Sequence, residues 1–314
     1  NVGASGPDQQ WTPTDATYDP ATGELVLTIG SGHGLTVGEG VVIDDNGLSF
    51  TCAMDGNQST KSYPRNGIDP YSGRSIPIDS VTDTTITLNV GVSGPNVTFT
   101  PTTGTTYDAA TGDLVLSIGQ HGLGVGRGIV IATDSLTFTC DQDSNGSTHT
   151  YPRASDPAAG QSLPITAVSA TQHTVTNAVY TASNGRLVLT IGGGHGFAEG
   201  DYIKVADGSL TFTCDLDGNT AQKAYPRANF DYPSGRWLQI SNVTADSFEI
   251  NVGGSSYTGA HTFVSATANG IERQTGNITV NVGAAGSASG SVHVFQSATA
   301  DAVSHSPQSA HTFV

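Results

Sequence analysis

Four residue types in this chain of 314 could do chemistry, and each recurs three times at fixed spacing. Cys52, Cys140 and Cys214 each follow a histidine, His33, His121 and His195, by 19 residues, and each precedes a Tyr-Pro-Arg triplet ending in Arg65, Arg153 or Arg227. Between cysteine and triplet lies an acidic turn with Asp55, Asp143, or Asp215 and Asp217.

A thiol and an imidazole together suggest a zinc site. Yet no Cys-x-x-Cys or His-x-x-x-His spacing accompanies them. Cys52 alternates in step with Leu48 and Phe50, and Cys140 with Leu136 and Phe138, which reads as a buried apolar thiol. One cysteine per module excludes a disulfide inside any module, and free thiols suit assembly in a reducing cytosol. The histidines precede glycine in turns, where the imidazole is expected to bond a backbone group; the other chemistry open to them is ligand binding or pH sensing.

The acidic turns resemble calcium loops only in part. Asp215-Leu216-Asp217-Gly218-Asn219 has oxygen ligands at alternate positions, but its glycine comes fourth and no glutamate follows. The first copy has Ala53 where a ligand is needed. They are expected to be Asp-Gly or Asp-Ser turns, with Asp55, Asp143, Asp215 and Asp217 as weak Ca²⁺ candidates. The arginines have acidic neighbours three or four residues on, Asp69, Asp156 and Asp231, which predicts forked Arg-carboxylate pairs locking a loop. Gly122 to Gly128 imitates a phosphate loop but leads into a strand and not a helix.

Triplication argues against catalysis, because an active site normally occurs once, in one pocket. Glu249, Glu272 and Arg273 are unrepeated but form no visible set. No catalytic residue, cofactor or firm metal ligand is therefore assigned. The formal charge of −16 repels nucleic acid, and no apolar run is long enough to span a bilayer.

The elements that carry these residues alternate with period two. Leu25, Leu27 and Ile29 alternate with Val26 and Thr28, and Ile86, Leu88 and Val90 with Thr87 and Asn89. Such alternation predicts half-buried antiparallel strands, punctuated by glycine turns. The fold class expected is all-β: tandem small antiparallel sandwich or barrel modules in an elongated array, with a β-rich C-terminal tail.

The expected boundaries are 1–13 for the end of a preceding repeat, 14–102 for module 1 with its connector, 103–176 for module 2, 177–264 for module 3, and 265–314 for short partial repeats. Tyr18 to Tyr107 is 16 residues longer than Tyr107 to Tyr180, a difference assigned to the connector around 89–101 that module 2 lacks. In the tail, 277–283 copies the module-closing strand 86–91, and His293-Val294-Phe295 and His311-Thr312-Phe313 copy His261-Thr262-Phe263. A chain starting and stopping inside its own repeat reads as a piece of a longer protein, whose ends dock onto further copies of the repeat in cis or in a neighbour.

The strings Leu25 to Gly30, His33 to Gly38, Leu210 to Asn219 and Tyr225 to Arg227, with His261 to Thr267, resemble tandem modules of large virion structural proteins of marine tailed phages, especially cyanophages. Ser49, Ser144 and the connector missing from module 2 depart from that pattern. The resemblance implies a virion appendage such as a tail fibre or neck, acting as a repetitive spacer and in host attachment. It also implies location on the virion, after assembly in the host cytoplasm. Partners would be other copies of itself, other virion proteins, or a host surface glycan or protein. Two other classes are open: a bacterial surface adhesin or extracellular filament, marked by an anchor signal, and a glycan-cleaving tail enzyme, marked by two unlike carboxylates in one pocket.

Overall fold

The computed structural model describes residues 9–53, 57–65, 69, 71–228, 230–255 and 257–314. The Ca²⁺ candidate Asp55 and the repeat copy at 1–8 lie outside the described residues.

The described residues form 26 strands and a few short 3₁₀ turns. Module 1 contains β1 (Asp15–Tyr18), β2 (Glu24–Thr28), β3 (Gly40–Val42), β4 (Leu48–Cys52), β5 (Lys61–Tyr63), β6 (Ser75–Val81) and β7 (Thr85–Asn89), followed by a connector strand, β8 (Val97–Phe99). Module 2 contains β9 (Thr106–Tyr107), β10 (Asp113–Ser117), β11 (Gly128–Ile131), β12 (Leu136–Cys140), β13 (Thr148–Tyr151) and β14 (Leu163–His173). Module 3 contains β15 (Asn177–Thr181), β16 (Arg186–Thr190), β17 (Tyr202–Val205), β18 (Leu210–Cys214), β19 (Lys223–Tyr225), β20 (Leu238–Gln239), β21 (Ser247–Asn251) and β22 (His261–Ala266). The tail contributes β23 (Ile271–Asn281), β24 (His293–Ala298), β25 (Val303–His305) and β26 (His311–Phe313).

All named strand pairs are antiparallel, and each module is a small sandwich. In module 1 a five-stranded sheet, β1-β2-β7-β6-β3, packs on a three-stranded one, β26-β4-β5. Alternate residues of both sheets meet in one core: Leu25, Leu27, Ile78 and Leu88 from the first, and Leu48 and Phe50 from the second. Threonines and other polar residues occupy the opposite faces, which is why the sequence alternates.

The modules are nested, not serial. The copy of the closing strand at 277–281 is the closing strand of module 2: Leu114 pairs with Val280 and Leu116 with Ile278, as Leu25 pairs with Leu88 in module 1. Module 3 therefore interrupts module 2 between β14 and β23. In module 1 the corresponding position is a tight turn between β6 and β7, where Thr82 N donates to Thr85 O.

The same logic holds one level out. The chain divides into a unit of Asn1–Asn96 with Ser306–Val314 and a unit of Val97–His305. β26 pairs with β4 of module 1, in the register His311 to Cys52 and Phe313 to Phe50. The boundaries 103–176 and 265–314 are corrected accordingly. Residues 277–305 belong to module 2 and 306–314 to module 1, while 271–273 pair with β17 of module 3. The 16-residue difference in spacing follows, because module 2 keeps its closing strand and connector beyond the inserted module 3.

Each insertion is carried on a stem of paired strands. β14 and β23 form a long irregular ladder ending at His173 opposite Ile271. β8 pairs with β25, Val97 opposite His305 and Phe99 opposite Val303. Entry and exit strands thus run side by side, so an inserted module costs its host little more closure entropy than a short loop would.

If β26 is a component of module 1, its loss acts locally. Phe313→Ala should destabilise the unit of Asn1–Asn96 with Ser306–Val314 by about 2 kcal/mol, since a half-buried aromatic loses its partner ring. Hydrogen exchange should show faster exchange in β4 and β5 and unchanged protection in β12 and β18.

Candidate functional site

The same four side chains converge in every module. In module 2 Tyr107, at the end of β9, donates its hydroxyl to Gly283 O at 2.9 Å, and its ring meets His293 edge-on at 5.2 Å. Tyr18 and Tyr180 do the same with Gly91 and His311, and with Gly253 and His261. Two residues beyond each of these histidines a phenylalanine packs on the Cys strand: Phe295 on Phe138 at 5.6 Å, Phe313 on Phe50 at 5.7 Å, and Phe263 on Phe212 at 5.8 Å. Glycine is required across from the tyrosine's acceptor. At Gly112, φ is +80°, and a Cβ would overlap the Gly283 carbonyl carbon.

The cysteines end the strands so braced. Cys52, Cys140 and Cys214 are buried free thiols. After Cys140 and Cys214 the chain makes a 3₁₀ turn, Asp141–Asp143 or Asp215–Asp217, closed by a left-handed Ser144 or Gly218. The carboxylates of those turns bond groups of their own module. Asp143 accepts from Ser147 Oγ and faces His149 Nε2 at 3.4 Å, and Asp217 pairs with Lys223. Hydrogen bonds from Ser147 and Lys223 hold Asp143 and Asp217 respectively below the usual carboxylate range. Asp215 accepts from Tyr257 Oη at 2.7 Å and from Ala260 N at 3.0 Å. Among the described residues no three His, Cys, Asp or Glu side chains gather to hold a metal ion.

The Tyr-Pro-Arg triplets, with cis Tyr-Pro bonds, form the rim. Arg65 forks onto Asp69, with Nη2 to Oδ1 at 2.7 Å and Nε to Oδ2 at 3.1 Å, and the Arg65 backbone N–H also donates to Oδ2. Arg227 and Asp231 repeat this geometry, as do Arg153 and Asp156 at slightly greater length.

The turn histidines bond the backbone. His33 Nε2 donates to Thr82 O while Nδ1 accepts from Leu35 N, and His195 does the same with Thr244 O and Phe197 N. His121 differs, because the turn that would supply the carbonyl is where module 3 is inserted. Its Nδ1 accepts from Leu123 N, but Nε2 is buried without a partner, and burial pushes its pKa down to about 4.

Sequence reasoning missed the set at the junction of modules 2 and 3. Gln274, almost fully buried, accepts from Gly122 N and donates to Leu123 O. Gln120 donates to Gln274 O and accepts from Tyr202 N. Arg273 Nε donates to the buried Asp201 at 2.7 Å, and Glu272 pairs with Lys204 at 2.6 Å. These residues are unrepeated because the junction occurs once; the break in the repeat pattern was the available signal. Glu249 is placed elsewhere, paired with Arg186 across β16 and β21.

In module 2 these walls enclose a cleft of about 700 Å³, lined by Tyr107, Cys140, Tyr151, Arg153 and His293 among others. Tyr151 Oη and His293 Nδ1 are buried without a hydrogen-bond partner, as are Tyr63 Oη and His311 Nδ1 at the matching places in module 1. Burial, reinforced by Asp156, pushes the Tyr151 pKa up to about 12, so at neutral pH it is a neutral donor and not a nucleophile.

No family model matches the sequence, and no curated protein matches it significantly. Among solved structures, the chicken CNTN1 FN1–FN3 domains are similar at 10% identity over 86% of this chain and 99% of that one, with a TM-score of 0.18. Among the described residues no helix is long and apolar enough to cross a membrane.

Two outcomes are expected. Arg273→Ala strands the Asp201 carboxylate in a buried site and should destabilise modules 2 and 3 by about 3 kcal/mol, with Arg273→Ala/Asp201→Ala recovering part of the loss. Urea unfolding of both variants checks this. His121 has a folded pKa near 4 against an ordinary value of 6.5, so between those values the unfolded chain binds more protons. Stability of the unit Val97–His305 should therefore fall as pH drops from 6.5 to 4. His121→Gln should flatten that slope without abolishing it, because burial also lowers His305 and His173.

Proposed function

We propose that the chain is a structural segment of a phage virion appendage, such as a tail fibre or neck, in which the modules act as repeated spacers and contribute to host attachment. The observation that carries this reading is that the triplicated tyrosines, cysteines, arginines and closing-strand histidines cluster where a late strand closes a β-sandwich. Tyr107, Tyr18 and Tyr180 each hold a glycine carbonyl and a histidine ring, and the three arginines each clamp a loop carboxylate. Such use favours shape over turnover. The sequence resemblance to virion modules supplies the class of particle. Closure of early modules by late strands suits a part that must resist pulling, since both ends of each insertion are fixed in one ladder. Partners in this reading are other copies of the chain or neighbouring virion proteins, with a host surface glycan or protein at the attachment end.

Gold-labelled antibody against the unit Val97–His305, applied to purified particles of the phage that encodes it, tests the reading. Label on an appendage at constant distance from the capsid is expected. Absence from purified particles, with recovery in a bacterial envelope fraction, would overturn it in favour of a surface adhesin.

A further inference from the structure

In modules 2 and 3 the His-x-Phe strand is followed by one more short strand, which has no counterpart in module 1 among the described residues. Val303 comes ten residues after His293, and Ile271 ten after His261. Each lies on the outer edge of the strand that follows the turn histidine. Val303 faces Ile131 and Ser304 faces Val130, while Ile271, Glu272 and Arg273 face Val205, Lys204 and Ile203. Ala132 N donates to Ala302 O at 2.8 Å, and Ala206 N to Gly270 O at 2.9 Å. β3 of module 1 is the equivalent strand, because Val41, Ile129 and Ile203 all stand eight residues after their turn histidine. Its inner edge is paired in the same way, Gly40 opposite Pro77 as Gly128 is opposite Pro164. Its outer edge is the edge of the sheet.

Exposure follows the pairing. Ile129 and Ile203 are buried, whereas Val41 is half-buried and Val42 is 54% exposed. The far flank of the added strand differs as well. β8 pairs with β25, and residues 171–173 of β14 pair with 271–273. Their counterpart in module 1, Gln9-Gln10-Trp11, forms no strand, although Trp11 stands seven residues before Tyr18 as His173 stands before Tyr180. An exposed apolar strand edge is a template for another strand.

Charge specifies which strand. The sixth residue after the turn histidine is Asp201 in module 3, Arg127 in module 2 and Glu39 in module 1. Asp201 Oδ2 accepts from Arg273 Nε of the added strand at 2.7 Å and from Ala198 N at 2.9 Å. Where the residue is Arg127, the added strand carries His305, whose Nδ1 donates to Gly128 O at 2.7 Å. Glu39 accepts from Thr36 N, the counterpart of Ala198 N, so its carboxylate is held as Asp201 is. An arginine beside it would complete a charge-assisted pair. At the middle position Lys204 pairs with Glu272, but Val42 and Val130 replace the lysine, and Val130 faces Ser304.

We propose that the outer edge of β3 is a strand-addition site for an extended segment of a partner chain. That segment has Ile or Val facing Ile43, a small polar residue facing Val42, and arginine facing Val41 and paired with Glu39. The segments 271–273 and 303–305 of the chain itself are already used in modules 3 and 2. This goes beyond the appendage reading and does not depend on it.

Titration of the full ¹⁵N-labelled chain with a capped peptide of residues 267–274 carrying Glu272→Ser tests the proposal. Saturable amide shifts at 39–44 and 9–11 are expected, with Kd on the order of 0.1 mM, as suits a short unstructured strand. The same peptide with Arg273→Ala should bind at least fivefold more weakly. In the chain, Asp44→Pro removes the backbone donor equivalent to Ala132 N and Ala206 N and should weaken binding at least tenfold. Glu39→Arg gives module 1 the residue of module 2 and should reverse the preference, so that a peptide of residues 299–306 binds more tightly than the arginine peptide. No saturable shift, shifts centred on 128–132 or 202–206, equal binding of the arginine and alanine peptides, or an unchanged preference in a folded Glu39→Arg chain would overturn the proposal. Should Asp44→Pro fail to fold, the peptide pair on the unaltered chain still decides.

Discussion

Every module depends on one interaction: a short strand, His-x-Phe, laid against the strand that ends in cysteine. Its phenylalanine meets the core phenylalanine at 5.6 to 5.8 Å, and its histidine meets a tyrosine at 5.2 to 5.3 Å. Aromatic pairs of this edge-on kind add about 0.5–1.5 kcal/mol beyond burial. Without the strand, the Cys strand would keep only its partner on the other side, and a two-stranded ribbon is marginal in water. In each module the closing strand follows most of the chain that it closes, and that delay organises the fold.

Delay has a kinetic cost, because long-range pairing is slow and loop closure must be completed before contacts reward it. The stems limit that cost. Once β8 and β25 pair, the long insertion between Phe50 and Phe313 behaves as a short link, and Gln308 N reaches Asn96 Oδ1 at 3.1 Å. The ladder between β14 and β23 does the same for module 3, and Asn269 N bonds Thr174 Oγ1 at its far end. A module inserted on a stem can fold first and present its host with a nearly closed gap.

Insertion also explains why the three copies are not chemically equal. Module 3 replaces the turn that would give His121 a carbonyl, so that imidazole is buried with a free Nε2 and a depressed pKa. The buried amide of Gln274 takes over at the neighbouring glycine and leucine. Module 2 closes with a loop of small residues where module 3 has Tyr257. The tyrosine and arginine bonds repeated in the three modules each hold a strand or a loop of their own module, while His121 and the buried Gln274 are particular to module 2.

The sequence by itself determined the strands, the repeated unit and the local contacts. Period-two alternation of Leu25, Leu27, Ile86 and Leu88 marks half-buried strands, and a forked Arg-Asp pair three or four residues apart needs no distant information. Even the tail strands at 277–283, 293–295 and 311–313 were legible as copies. Which strand they pair with was not, because β pairing is set by contacts far apart in the chain, and identical copies offer several partners of equal local quality. Only the tertiary structure decided that 277–281 closes module 2, that 311–313 closes module 1, and that Arg273 meets Asp201. The physical reason is that register and partner depend on a shared core and on paired entry and exit strands, neither of which leaves a periodic trace in the chain.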